Sequence, residues 1–268
     1  MSRITQLFER LHREDRRGLI AYITAGDPTP ERTPSLVAAL ERGGADLIEL
    51  GVPFSDPVAD GPMIQRASDR ALAAGTTLPK VLEIAAAIRA RSEVPLLLFS
   101  YLNPLLRYGM ERLATDARQA GIDGCLITDL SVEEAGATVP LLRAAGLDTV
   151  FLAAPTSPER RLKLVAEYSS GFVYLVSRTG VTGERDSLSA SAAPLVEAMR
   201  RVTKLPLAVG FGISKPEHAA EAGRLADAIV VGSAFVRLVE QFGDGPKLED
   251  ELESLARQLK GPLERVPA

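Results

Sequence analysis

Residues 44–61 read GADLIELGVPFSDPVADG. Its first half carries two signals: a Gly two places before an Asp, then a short apolar run of strand length. Gly in that place suits the left-handed conformation that closes a helix, so the segment reads as a joint from helix into strand. The same Gly-x-Asp joint recurs at Gly121 to Asp123 and at Gly146 to Asp148. The recurrence points to one supersecondary unit copied along the chain.

Short apolar runs rich in β-branched residues continue outward from this segment: GLIAYITAG from 18, ADLIELG from 45, PLLLFSYL from 95, GCLITD from 124, DTVFLAAP from 148, FVYLVSR from 172, LAVGFG from 207 and AIVVGSA from 228. Between them lie apolar residues at helical spacing, such as Val81, Leu82, Ile84, Ala85 and Ile88. Strands of near-continuous apolar character with intervening helices predict a parallel sheet covered on its faces. Eight such units predict an α/β fold in which the strands close into a (β/α)8 barrel of the TIM type, ahead of an open doubly wound sheet. No linker or composition shift divides the chain, so residues 1–268 read as one barrel domain. Ile4, Leu7, Phe8 and Leu11 mark an extra N-terminal helix, expected to plug the bottom of the barrel. Extra helices are expected after strand 2, over roughly 62–73 and 79–91, and after strand 8.

The chain has 268 residues, is 46% apolar and 25% charged, and carries a formal charge of −4 with no basic run interleaved with aromatics, which argues against a nucleic-acid partner. One cysteine, Cys125, excludes a disulfide within the chain and fits a reducing, cytoplasmic setting. The N-terminus lacks the apolar core of a signal peptide, and PLLLFSYL is too short to span a bilayer.

In a barrel of this kind chemistry gathers at the C-terminal ends of the strands. Those positions hold Asp27, Glu49, Asp56, Asp60, Tyr101, Asn103, Asp129, Tyr174 and Arg178, followed by GFGIS (210–214) and VGSAF (231–235). Small residues at the ends of adjacent strands let backbone N–H groups approach an anion, and a helix starting near Ser233 would add its positive end, so this pair reads as a phosphate site. Neither segment is a dinucleotide fingerprint, and no P-loop is present. His12 and His218 fall in separate helices, so no imidazole-rich metal site is expected. None of the six lysines lies inside a predicted strand, which disfavours a Schiff base.

Carboxyl groups remain as proton carriers. Apolar neighbours around Glu49 would disfavour its charge, each unit of upward pKa shift corresponding to ~1.4 kcal/mol. The alternative for Glu49 is a structural carboxylate satisfied by backbone donors or an arginine. Asp56 and Asp60 also fit ordinary turn chemistry beside Pro and Gly. SRTGVTGERDSLSA (177–190) has the length and small polar character of a lid, or of a solvated connection.

IELGVPFSDPVADGP, with Ile64 and Gln65 after it, YLNP at 101–104, VYLVSRTGVTG at 173–183, GFGIS and VVGSAFV together resemble the tryptophan synthase alpha subunit family, in order and spacing, from about residue 4 to about 260. The resemblance implies a barrel that cleaves indole-3-glycerol phosphate into indole and glyceraldehyde 3-phosphate. It implies Glu49 as the acid-base group, Asp60 as acceptor for the indole N–H and Tyr174 as a supporting residue. It assigns Tyr22, Tyr101, Leu126 and Phe211 to the indole pocket, and Gly183, Gly212, Gly232 and Ser233 to the phosphate. Arg178 and Thr182 would belong to the lid, Thr182 meeting Asp60 on closure, and Asp56 would dock a partner. That partner is a beta subunit carrying pyridoxal phosphate, in an alpha2-beta2 heterotetramer through which indole is channelled; this chain would hold no cofactor. One departure is Ser131, where the family usually has Pro. Other phosphate-binding barrels, a free-standing lyase and a mainly regulatory subunit remain as alternatives.

Overall fold

The computed structural model describes residues 1–176, 188–210 and 212–264, and strand and helix alternate through them as the periodicity predicts. The strands are β1 (Gly18–Thr24), β2 (Leu47–Gly51), β3 (Leu96–Ser100), β4 (Gly124–Ile127), β5 (Asp148–Val150), β6 (Leu152–Ala153), β7 (Val173–Val176), β8 (Leu207–Gly210) and β9 (Ala228–Val231). The helices are α1 (Arg3–Arg13), α2 (Thr33–Arg42), α3 (Pro62–Ala73), α4 (Leu78–Arg89), α5 (Leu102–Tyr108), α6 (Met110–Gln119), α7 (Thr138–Ala144), α8 (Glu159–Tyr168), α9 (Leu188–Arg200), α10 (Pro216–Gly223), α11 (Ser233–Phe242) and α12 (Leu248–Lys260).

The strands pair in the order β5-β4-β3-β2-β1-β9-β8-β7-β6, every pairing parallel. The fifth predicted strand is broken at Phe151, because it changes partners there. Its first half ladders to β4, with Cys125 opposite Thr149, and its second to β7, with Leu152 opposite Tyr174. The two ends of the order are therefore joined by the chain itself, and the ring is completed through Phe151. Among the described residues the expected helix doublings after β2 and β9 are present, as α3 with α4 and α11 with α12. A further doubling after β3, α5 with α6, was not anticipated: α5 has only 7 residues, and the break falls at Gly109, whose φ of +96° suits Gly alone.

The interior is a layer of inward-facing side chains: Ile20, Leu47, Leu97, Leu126, Val150, Phe172, Ala208 and Val230. Ile4, Leu7, Phe8 and Leu11 of α1 complete the same cluster, with Phe8 packed 5.6 Å from Phe172, so the N-terminal helix plugs the bottom as its stripe predicts. Burying each of these four large side chains is worth roughly 1.5–3 kcal/mol. Ser2 starts the helix, its hydroxyl accepting from the Thr5 N–H at 3.1 Å.

The Gly-x-Asp joints also knit the bottom rim. Gly44, Gly121 and Gly146 take positive φ as expected. Asp46 Oδ2 accepts the N–H of Leu19 in the neighbouring strand at 2.8 Å, and Asp123 Oδ2 accepts that of Leu96 at 3.0 Å. Asp227, ahead of β9, does the same for Leu207 at 2.7 Å. Each has a basic partner, respectively Lys260 at 2.6 Å, Arg89 at 2.9 Å and Arg200 at 2.5 Å. Asp148 departs from the pattern: Ser2 donates to it, while Ser170 Oγ takes the Thr149 N–H. Among the described residues no single helix is long and apolar enough to cross a membrane.

Candidate active site

Period-two alternation carries the inward face up each strand, so Tyr22 follows Ile20, Glu49 follows Leu47, Phe99 follows Leu97 and Tyr174 follows Phe172. Tyr22 lies opposite Glu49 in the ladder, and Phe99 opposite Leu126. Glu49 is 1% exposed, and both carboxylate oxygens lack a hydrogen-bond partner among the described residues. Burial alone pushes its pKa up to about 8. Among the described residues neither a backbone donor nor an arginine satisfies it.

Aromatic rings surround that carboxyl. Tyr22 meets Phe99 edge-on, ring centres 5.1 Å apart. Burial raises the hydroxyl pKa of Tyr22 and of Tyr174 above the ordinary range; charges on Asp60 and Glu49 add to it in both, so these phenols share a field with the two acids. Close packing sets the neighbours. A Cβ on Gly51 would sit 2.3 Å from the Tyr22 hydroxyl, and one on Gly210 2.6 Å from that of Tyr174. Leu126 is buried in the interior cluster alongside Phe99, Leu152 and Tyr174.

Asp60 lies in the loop after β2. Burial raises its pKa to about 6, against the pull of a hydrogen bond from Tyr101. The Tyr101 hydroxyl donates to Asp60 Oδ2 at 3.0 Å and accepts the Ala59 N–H at 2.9 Å, and its ring lies 5.3 Å from Phe54. On the far side Gln65 Nε2 donates to the Asp60 carbonyl at 2.8 Å. Asp56 at the loop tip is exposed, bonded to the Ser55 hydroxyl at 2.7 Å. The sequence reading places Tyr101 in the pocket wall and misses its grip on this loop; Phe99 and Tyr101, at alternate positions, were the available signal.

Across the mouth, α11 begins at Ser233 as expected, with no side chain capping it, so its first N–H groups have no intrahelical acceptor. Gly232 precedes it, and Gly212 holds φ +70° with open space where a Cβ would lie. Phe211, Arg178, Thr182 and Gly183 lie outside the described residues. Asp129 Oδ1 accepts the Leu102 N–H at 2.6 Å, and Ser131 donates to Glu134 at 2.9 Å. Cys125 is buried, its thiol pushed up to about 12 by burial, and is no nucleophile. No group of three or more His, Cys, Asp or Glu suited to a metal occurs among the described residues.

The fold places the chain among the (β/α)8 barrel enzymes, with Glu49 on β2 and Asp60 in the loop that follows it. Comparison with known proteins narrows this. The family profile "Tryptophan synthase alpha chain" matches residues 8–264. The tryptophan synthase alpha chain of Solibacter usitatus is 70% identical over 260 residues, 97% of this chain and 97% of that one. The crystal structure of tryptophan synthase subunit alpha from Legionella pneumophila superposes with a TM-score of 0.92 at 35% identity, covering 98% of this chain and 99% of that one. A chain of the tryptophan synthase a2b2 complex from Pyrococcus furiosus gives 0.86 at 39% identity, over 92% and 99%. The chain belongs to the tryptophan synthase alpha chain family.

Proposed function

We propose that Glu49, Asp60 and the N-terminus of α11 divide the retro-aldol cleavage of indole-3-glycerol phosphate between them. The family's reaction is this chain's reaction: it is a lyase of tryptophan biosynthesis, working in an α2β2 complex with a beta subunit. The alpha chain uses no cofactor, and pyridoxal phosphate sits in the beta subunit.

The observation that carries the residue roles is the unpartnered buried carboxyl of Glu49. At neutral pH a group titrating at about 8 is mostly protonated, whereas Asp60, at about 6, is mostly ionised. Environments that split two acids in this way assign their roles. Glu49 delivers a proton to the ring carbon that bears the side chain, and positive charge appears at the ring nitrogen. The Asp60 carboxylate accepts the hydrogen bond of that N–H. Glu49, now ionised, takes the proton of the adjacent glyceryl hydroxyl; the O–H pair becomes the aldehyde C=O and the C–C pair returns to the ring. Indole and glyceraldehyde 3-phosphate leave, and Glu49 is protonated as at the start.

Tyr22, Tyr101 and Leu126 supply the apolar wall and Tyr174 the supporting phenol. Gly212, Gly232 and the α11 N–H groups at Ser233 hold the phosphate. Phe211 for the wall, Gly183 for the phosphate, and Arg178 and Thr182 for the lid complete the reading. Asp56, exposed at the loop tip, faces the beta subunit, and the chain works as one barrel domain in the cytoplasm.

An indole-release assay on the chain alone and with beta subunit tests this. General acid-base groups contribute about 10² to 10⁴ in rate, roughly 3 to 5.5 kcal/mol. Glu49→Gln and Asp60→Asn are each expected to lose at least that lower factor while remaining folded. Unchanged turnover in either removes that residue from its role.

A further inference from the structure

Arg70, on α3, has no place in the chemistry above, yet its guanidinium joins two acids from two other elements. Its guanidinium grips Asp27 with two parallel bonds, Nε to Oδ1 at 2.9 Å and Nη2 to Oδ2 at 2.8 Å. The third nitrogen reaches Glu240 of α11 at 3.0 Å. One turn earlier Arg66 holds the same Glu240 at 2.6 and 3.0 Å. Asp27, in the loop after β1, is 2% exposed.

These contacts tie three elements that carry the site. The N-terminal end of α3 follows Asp60 directly: the N–H groups of Ile64 and Gln65 reach the Gly61 carbonyl, and the Gln65 side chain reaches the Asp60 carbonyl. Met63, Ile64 and Ala67 of α3 pack with Tyr22, Phe99 and Val236, the last on α11. α11 is also the helix whose first turn faces the expected phosphate. An ion pair with one partner buried and the other partly exposed is a weak stabiliser, but a two-toothed arginine–carboxylate pair has a defined direction.

We infer that Arg70 is a positioning residue for the cleavage: by gripping Asp27 and Glu240 at once, it sets α3, and with it Asp60, against the loop after β1 and against α11, whose opposite end faces the expected phosphate. The inference rests on the roles of Asp60 and α11 given under Proposed function. Apolar packing of Met63, Ile64 and Ala67 has little directionality; the fork on Asp27 fixes α3 against the loop after β1, and the third nitrogen fixes it against Glu240 of α11.

Two variants test it in the complex with beta subunit, by kcat and KM for indole release. Arg70→Lys keeps the charge and loses the fork. Asp27→Asn with Arg70→Met removes the pair together and leaves no buried charge unpaired. Misplacing a reacting group by about 1 Å costs up to ~100-fold, so kcat is expected to fall about tenfold in both, with native circular dichroism retained. If Arg70 acts through Asp60, the same changes made in Asp60→Asn lower kcat by less than about twofold further, the signature of coupled residues. Arg200→Met, which removes the pair with Asp227 on the bottom rim, is the control and leaves kcat unchanged. Unaltered kcat in the folded Asp27→Asn/Arg70→Met protein, or a full additional loss in the Asp60→Asn background, overturns the inference alone. Wild-type turnover in Asp60→Asn overturns the site reading, and this inference with it.

Discussion

Replacing Glu49 with Gln is expected to make the protein increasingly more stable than the wild type as the pH rises, even as turnover falls at least about 100-fold. The folded-state pKa of Glu49 is raised from 4.5 to about 8 by burial, with no partner to offset it. Below the lower value Glu49 is protonated in both folded and unfolded chains and has no effect on the balance. Between the two values the unfolded chain releases the proton and the folded one keeps it. Stability then falls as pH rises, by ~1.4 kcal/mol per unit for one proton. Above the folded pKa the loss is complete, about 5 kcal/mol from the shift between 4.5 and about 8. Gln cannot titrate, so the variant escapes this slope. Its unpartnered amide adds a constant offset but no pH dependence. Urea unfolding of both proteins at half-unit intervals from pH 5 to 9 gives the difference directly. It is expected to grow in favour of Glu49→Gln with that slope and flatten above pH 8. Parallel stability curves would refute the reasoning, because Glu49 would then titrate as it does in water.

Tyr101→Phe removes the hydroxyl that bridges Ala59 and Asp60. That bond lowers the Asp60 pKa, so its loss raises it further, and the acidic limb of kcat/KM moves to higher pH with turnover down about tenfold; an unmoved limb contradicts this. Lys260→Met strands Asp46 on the bottom rim, where Lys260 itself is 5% exposed, and is expected to cost ~3–5 kcal/mol in urea unfolding, largely recovered by adding Asp46→Asn, with turnover per folded molecule intact. A loss under about 1 kcal/mol would show that water already screens the pair. Gly210→Ala drives a methyl toward the Tyr174 hydroxyl and is expected to destabilise by ~1–3 kcal/mol; Tyr174→Phe in the same chain removes the nearest atom, at 2.6 Å, and recovers part of it. No recovery would locate the strain elsewhere.

The barrel was readable from local patterns. A strand's parity, a helix's stripe and the left-handed Gly of each Gly-x-Asp joint depend on residues a few positions apart, and side-chain periodicity expresses them directly. That local logic also put Glu49 on the inward face near the mouth and started α11 at Ser233. Among the described residues the split at Phe151 and the short helix α5 escaped it, since one arises from a change of strand partner and the other has 7 residues.

The state of the acids could not be read in this way. Whether Glu49 is satisfied depends on every group that surrounds it, and GADLIELG is equally consistent with an arginine or a backbone donor folded over it. Tyr101 meets Asp60 across 41 positions, Arg70 meets Asp27 across 43 and Glu240 across 170, and Lys260 meets Asp46 across 214. Periodicity says which face such a residue presents and nothing about which partner arrives there. Proton affinity in a buried site is set by desolvation and by those arrivals together, so it comes into being only when the barrel closes around the side chain.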